Sequence, residues 1–337
     1  MKKILPAEWE KQQYVQLTWP HSGTDFQPML EDANRCFVKI AHAILQYEEL
    51  LIVCAQAEEV KQMLAGEDFS KIRLVELPSN DVWARDHAGI TVFENDRPVI
   101  YDFAFNGWGL KYPACHDNLM TKRLFRTGVF KNYRYKNCLH FVLEGGSIDS
   151  DGAGTVLTTT SCLLSENRNN TTKKVIENRL KNHFGLERVL WLHHGYLAGD
   201  DTDGHVDTLA RFCNEHTIAY VKCEEEQDEH FEELKKMEIE LKNFRTLQNE
   251  PYQLIPLPMA DPVYENNERL PATYANFLII NGAVLIPTYQ SPKDEIAKQQ
   301  FQKAFPDRKI IGIDCRTLIK QHGSLHCVTM QFYPVEM

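Results

Sequence analysis

The chain of 337 residues is 43% apolar and 25% charged, the balance of a soluble globular protein with a large core. A net charge of −10 with no basic stripe argues against a nucleic-acid partner and suits a small cation. The most apolar run, 277–287, is too short to span a bilayer and is broken by Asn281 and Gly282, so no membrane partner is expected.

In chain order, MKKILPAEWEKQQ starts with the lysines of a signal peptide, but Pro6 and Glu8 end its apolar stretch at once, which points to a cytoplasmic protein. Short apolar runs predict strands at 50–55, 72–78, 97–103, 154–160, 217–223, 276–282 and 308–314. Helical patterns lie between them. Over 228–247, Phe231, Leu234, Met237, Leu241 and Phe244 recur at spacings of three and four and predict one apolar face. Ser291 and Pro292 predict the N-cap and first residue of a helix with a core stripe of Ile296, Phe301 and Phe305. No Gly/Ser/Pro-rich linker divides the chain. A single α/β domain over 1–337 is expected, built from repeated strand–helix–strand units.

Polar residues concentrate in a few loops. SNDVWARDHAGI sets Asp81, Arg85 and Asp86 around Trp83; taken alone, such a cluster is a surface turn with an ion pair. FVLEGGSIDSDGAG places Glu144 before two glycines, which leaves little bulk beside a carboxylate at a strand end and permits backbone conformations closed to other residues. Its DSDGAG reads as a hairpin turn. In GDDTDGHVDTLARF, the EF-hand pattern fails at both its first and twelfth positions. His205 and Asp207 could ligate zinc, but no second pair at ligand spacing accompanies them. On a strand, residues two apart share a face, so this pair would point into one pocket. HGSLHCVTMQ holds Cys327 behind His326. The nine cysteines are scattered without a CxxC pair, so a disulfide scaffold and a zinc ribbon are excluded and most should be inert buried thiols.

One thiol, one histidine and several acids suggest nucleophilic catalysis on a cation. A papain-like site would not place several acids around its thiolate. A guanidinium substrate explains them, because a carboxylate binds its planar fork bidentately. Two such acids would hold it flat with its carbon open to attack, and the bound cation would favour thiolate over thiol.

In order along the chain, LPAEWEKQQYVQLTWP, NDVWARDHAGI, FNGWGLKYP, EGGSIDSDGAGTVLTT, DTDGHVDTLARF, LPATYANFLIINGAVLIP, FPDRKIIGID and HGSLHCVTMQ resemble the agmatine deiminase family of the guanidine-modifying pentein superfamily. The resemblance implies a pentein α/β-propeller, with pseudo-fivefold ββαβ repeats around a central active site. It implies hydrolysis of agmatine to N-carbamoylputrescine and ammonia, in putrescine and polyamine biosynthesis, through a covalent amidino-cysteine and without metal or cofactor. By position it makes Cys327 the nucleophile and His205 the general acid/base, with Glu144 helping to hold both guanidinium and histidine. Asp86 and Asp207 become the guanidinium clamps, and Trp83 and Trp108 stand in the substrate loops. Asp201 is the candidate for the amine end, and His326 is only a neighbour of the nucleophile. The alternatives are a deiminase of free arginine or peptidyl-arginine, and a catalytically silent binding protein for polyamine-like cations. Self-association into a homo-oligomer stays open.

Overall fold

Hairpins and helical crossovers alternate along this chain, because an antiparallel neighbour can be reached by a tight turn while a parallel one needs a long connection. The computed structural model describes residues 2–335. Strand Ile148–Ser150 pairs antiparallel with Thr155–Thr159, and the helix Lys173–Phe184 then leads to the parallel strand Arg188–Leu192. The same order recurs as Ile90–Glu94, Arg97–Ala104, helix Met120–Thr127 and Arg134–Val142. It recurs again as Ala210–Asn214, Thr217–Lys222, helix Phe231–Asn243 and Gln253–Pro258. A further copy is Leu278–Ile280, Ala283–Thr288, helix Lys293–Ala304 and Lys309–Asp314.

The remaining unit is closed by both ends of the chain. Thr329–Phe332 pairs antiparallel with Tyr14–Thr18, which runs parallel to Glu49–Cys54 across the helix Leu30–Leu45 and on to Ile72–Glu76. The result is a mixed α/β fold of repeated small sheets. Among the described residues, no helix is long and apolar enough to cross a membrane.

Each helix covers its sheet with an apolar stripe. In Leu30–Leu45 the buried face is Ala33, Phe37, Ile40, Ala41 and Ile44, and the acids Glu31 and Asp32 sit in the first turn, where the helix dipole favours them. Each large side chain fully buried this way contributes roughly 1.5–3 kcal/mol. Phe231–Asn243 buries Leu234, Met237 and Leu241, but Phe231 is only half-buried and Phe244 lies past the helix end. The C-terminal helix starts at Lys293, one residue later than predicted, with Ser291 Oγ accepting from Lys293 N–H at 3.0 Å. Its stripe is Ala297, Phe301 and Phe305; Ile296 is 49% exposed, since it stands about 100° off the buried face at 3.6 residues per turn.

One positional rule prepares the site. Just before the first strand of every unit lies a segment rich in buried polar side chains: 83–88, 144–147, 205–208, 273–276 and 324–327.

Candidate active site

Those five segments meet. Asp86 lies in the short turn Ala84–His87, and its backbone neighbour Arg85 donates N–H to Cys327 O at 3.0 Å. Asp86 Oδ1 accepts from Gly146 N–H at 3.0 Å, which ties the first segment to the second. His205 precedes the single turn Val206–Thr208 and Asp207 lies within it, so their convergence comes from the turn and not from strand alternation. A methyl added at Gly146 would lie 2.6 Å from His205 Nδ1, 2.8 Å from Asp86 Oδ1 and 3.0 Å from Asp207 Oδ2. At Gly145 it would lie 2.3 Å from Arg85 O. Gly145-Gly146 is therefore required for close approach; neither residue has positive φ.

Asn276 supplies the fifth segment. Its Oδ1 accepts from His326 N–H at 2.9 Å and from Cys327 N–H at 3.3 Å, and the Cys327 thiol donates to it at 3.4 Å. Its Nδ2–H₂ donates to Asp207 O at 3.3 Å, so one amide ties the thiol segment to the acid.

The electrostatics are uneven. Burial raises the Cys327 thiol well above its usual range, and the charges of Asp207 and Asp86 push it the same way. Burial also raises Asp86, to about 6, against the pull of His205. Burial opposes the charge on Asp207 too, but the hydrogen bond and charge of His326, with His205 and Arg211, hold that carboxyl below its usual value. Burial works against a charged His205, yet Asp86, Cys162 and Glu144 together raise its imidazole well above the usual value. Among the described residues neither ring nitrogen of His205 has a hydrogen-bond partner, and Asp86 Oδ1 stands 3.6 Å from Nδ1.

Glu144 is wholly buried and engaged by Arg168, whose Nε–H reaches its two oxygens at 2.9 and 3.0 Å. Arg168 also donates to Asp203 Oδ2 at 2.6 Å and Thr202 O at 2.8 Å. Glu144, Cys162 and His205 place donor atoms within 4.8 Å of one another, a set that could hold a soft cation; the Arg168 guanidinium already supplies positive charge there.

Above this floor is a narrow cavity of about 30 Å³ with Cys327, Asp86, Trp83 and Trp108 in its lining. Each indole is fixed by an acid: Trp83 donates to Asp81 Oδ2 at 3.0 Å, and Trp108 to Asp86 Oδ2 at 2.9 Å. Gly323 lies against the Trp83 ring, where a methyl would come within 2.1 Å of a ring carbon. Trp108 sits in a one-turn segment of the wrong hand for L-residues, with φ positive at Gly107 (67°), Trp108 (54°), Gly109 (82°) and Leu110 (69°). Further acids in the lining are Asp25, Asp81 and Asp201, and Tyr112 O–H donates to Asp201 Oδ2 at 2.8 Å. Burial, with Asp25 next, raises Asp81 to about 7, and burial also raises Asp201. No lysine or arginine lines the cavity among the described residues.

The sequence-predicted residues Asp86, Glu144, His205, Asp207 and Cys327 thus share one floor, with Trp83, Trp108 and Asp201 in the cavity over it. The 79–90 cluster is no surface turn: Asp81, Trp83, Arg85 and Asp86 are all buried. His326 is more than a neighbour, because its ring bridges Asp207 and Glu8 at 2.7 Å each. Sequence reasoning also missed Asn276, Arg168 and Cys162. A polar Asn276 inside the run ATYANFLII was the one local signal for the first of these.

The model of the Porphyromonas-type peptidyl-arginine deiminase family matches residues 4–333. Among solved structures, one described as a putative arginine deiminase from Porphyromonas gingivalis is 55% identical, with a TM-score of 0.95 over 98% of each chain. A Cys→Ser variant of C. jejuni agmatine deiminase with substrate bound is 37% identical, with a TM-score of 0.93 over 99% of this chain and 97% of that one. The curated agmatine deiminase of Ectopseudomonas mendocina is 30% identical across 97% of this chain and 94% of its own.

Proposed function

The chain belongs to the Porphyromonas-type peptidyl-arginine deiminase family, and from that premise we propose that it hydrolyses agmatine to N-carbamoylputrescine and ammonia. The observation that carries the substrate choice is the lining of the cavity. Beside Cys327 it offers Asp25, Asp81 and Asp201 and, among the described residues, no lysine or arginine. Arginine would bring an α-carboxylate against those acids, whereas agmatine brings an ammonium there. An ion pair near 4 Å is worth about 4 kcal/mol at an effective dielectric of ~20, before desolvation, and a like-charge pair costs as much.

In the mechanism we infer, Asp86 and Asp207 pair with the guanidinium nitrogens and hold its carbon over Cys327 Sγ. The incoming cation offsets the two acids that keep the thiol protonated, and the thiol proton leaves to solvent. The thiolate attacks the guanidinium carbon, and a C–S bond forms. His205, held as imidazolium by its acidic surroundings, protonates the departing nitrogen, and the C–N bond breaks to release ammonia. The neutral imidazole then takes a proton from water, whose hydroxide attacks the amidino-cysteine. Collapse breaks the C–S bond, returns the thiolate and leaves the carbamoyl group on the product. Glu144, locked by Arg168, holds the His205 side of the pocket; Trp83 and Trp108 wall the guanidinium, and Asp201 receives the amine. These steps need no metal or organic cofactor.

The repeated units support a pentein propeller, with a pseudo-fivefold arrangement that makes one catalytic domain of the chain. A small polar substrate and cysteines that are all free suit a reducing cytoplasm. The test is ammonia release on agmatine, free arginine and a peptidyl-arginine. Agmatine should be turned over best; equal or better turnover of arginine overturns the substrate assignment.

A further inference from the structure

His326 and Cys327 are adjacent in the chain but open onto different cavities. Cys327 faces the one described above. His326 faces a second, of about 50 Å³, which shares no lining residue with the first and is bounded in part by Glu8, Arg85 and Asp149. Its imidazole lies 2% exposed between two carboxylates: Nδ1 is 2.7 Å from Asp207 Oδ2, and Nε2 is 2.7 Å from Glu8 Oε2. An ionised carboxylate only accepts, so each ring nitrogen of His326 stands against an acceptor oxygen.

The consequence for Asp207 is directional. Oδ2 is committed to His326, while Oδ1 is buried and has no partner among the described residues. A carboxylate fixed at one oxygen presents the other in one place. Glu8 is fixed in its turn: Oε1 accepts from Ile279 N–H at 2.7 Å and Oε2 from Arg211 Nη2–H at 2.7 Å. The N-terminal segment therefore reaches the acid at the reaction centre through one imidazole, across 318 residues of chain.

We propose that His326 is a positioning residue for deimination: bridged to Glu8, it fixes the Asp207 carboxylate so that Oδ1 meets the guanidinium. This rests on Asp207 acting as a guanidinium clamp. The ionisable groups that face Asp207 are His326 and Cys327 from one segment, His205 and Arg211 from its own, and Arg85 and Asp86 from 83–88. Of the groups that lower Asp207, His326 does so most, so its loss should move Asp207 toward protonation while the others remain.

Steady-state ammonia release by the full chain on agmatine, followed across pH, tests this with His326→Gln, Glu8→Gln, the double variant and Asp207→Asn. We expect His326→Gln to raise KM about tenfold or more, the worth of one charge-assisted hydrogen bond, with kcat changed less. The acid limb of kcat/KM should move to higher pH. Glu8→Gln should give a smaller shift in the same direction. The double variant should be no worse than His326→Gln, because Glu8 acts through His326. Parental KM and acid limb in folded His326→Gln would overturn the proposal, as would a loss confined to kcat or full additivity in the double variant. If His326→Gln does not fold, Glu8→Gln decides: unchanged KM and limb overturn it. A parent inert on agmatine overturns both this and the function on which it rests; an active parent, an inactive Asp207→Asn and a parent-like His326→Gln overturn the positioning role alone.

Discussion

The indole N–H of Trp108 donates to Asp86 Oδ2 at 2.9 Å, so a residue expected only to touch substrate also grips an acid on the floor beneath it. Burial leaves Asp86 at about 6, and the indole is one of the groups that favour its anion. Trp108→Phe keeps the ring and removes the donor. The anion then becomes harder to form, and the contribution of Asp86 to the acid limb of kcat/KM should move upward, with a fall of about tenfold at neutral pH. A pH–rate profile reads this directly; an unmoved limb would detach Asp86 from Trp108.

Asp86 and Cys327 predict effects of opposite sign from one substitution. The Asp86 charge raises the Cys327 thiol, so Asp86→Asn should speed alkylation by iodoacetamide at mildly alkaline pH. The same variant loses a guanidinium partner and should lose ammonia release. Cys327→Ser should cut ammonia release by several orders of magnitude and remove the alkylation at position 327, leaving that of the exposed Cys115, while the thermal transition stays near the parent's. Near-normal ammonia release from that variant would remove the nucleophile assignment.

Asp201 is within reach of Tyr112 O–H and lines the cavity wall. Asp201→Asn should raise KM for agmatine about tenfold with kcat changed little, since the amine end is bound equally in ground and transition states. Its activity ratio of arginine to agmatine should rise. A pure kcat effect would place Asp201 in the chemistry instead.

Arg168 has a fully buried side chain paired with Glu144 and with Asp203. Arg168→Met would strand the Glu144 carboxylate, and breaking a buried pair from one side costs about 3–5 kcal/mol. Urea denaturation should show that loss. Glu144→Gln keeps an acceptor for Arg168 and should cost less.

The strands legible in the sequence were the ones buried by continuous apolar runs, such as Glu49–Cys54 and Thr217–Lys222. Arg134–Val142 was hidden because only Cys138 and Phe141 in it are buried and polar residues fill much of the rest, and Ile148–Ser150 because three residues carry no period. Ala210–Asn214 was hidden by Arg211, a cation with no exposed surface whose partners Glu8 and Asp149 come from other units. At the site, reacting groups were legible because their residue types imply chemistry. The groups that orient them were not: Asn276, Arg168 and Glu8 are ordinary polar residues until the fold sets them beside Cys327, Glu144 and His326. His326 lay in plain sight, but which way its ring points is a tertiary fact.

The turn from Gly107 to Leu110 winds against the hand of ordinary helices, and at Trp108 and Leu110 each L-residue gives up roughly 1–2 kcal/mol to do so. Left to itself, that stretch would relax to the opposite hand. It is held by the Asn106 side chain, which accepts from Gly109 N–H at 3.0 Å, and by the Trp108 bond to Asp86. One wall of the pocket is thus not a portable motif. Residues 105–113 grafted onto a foreign scaffold would not carry the indole donor with them, because its direction is a property of the assembled protein and not of the loop.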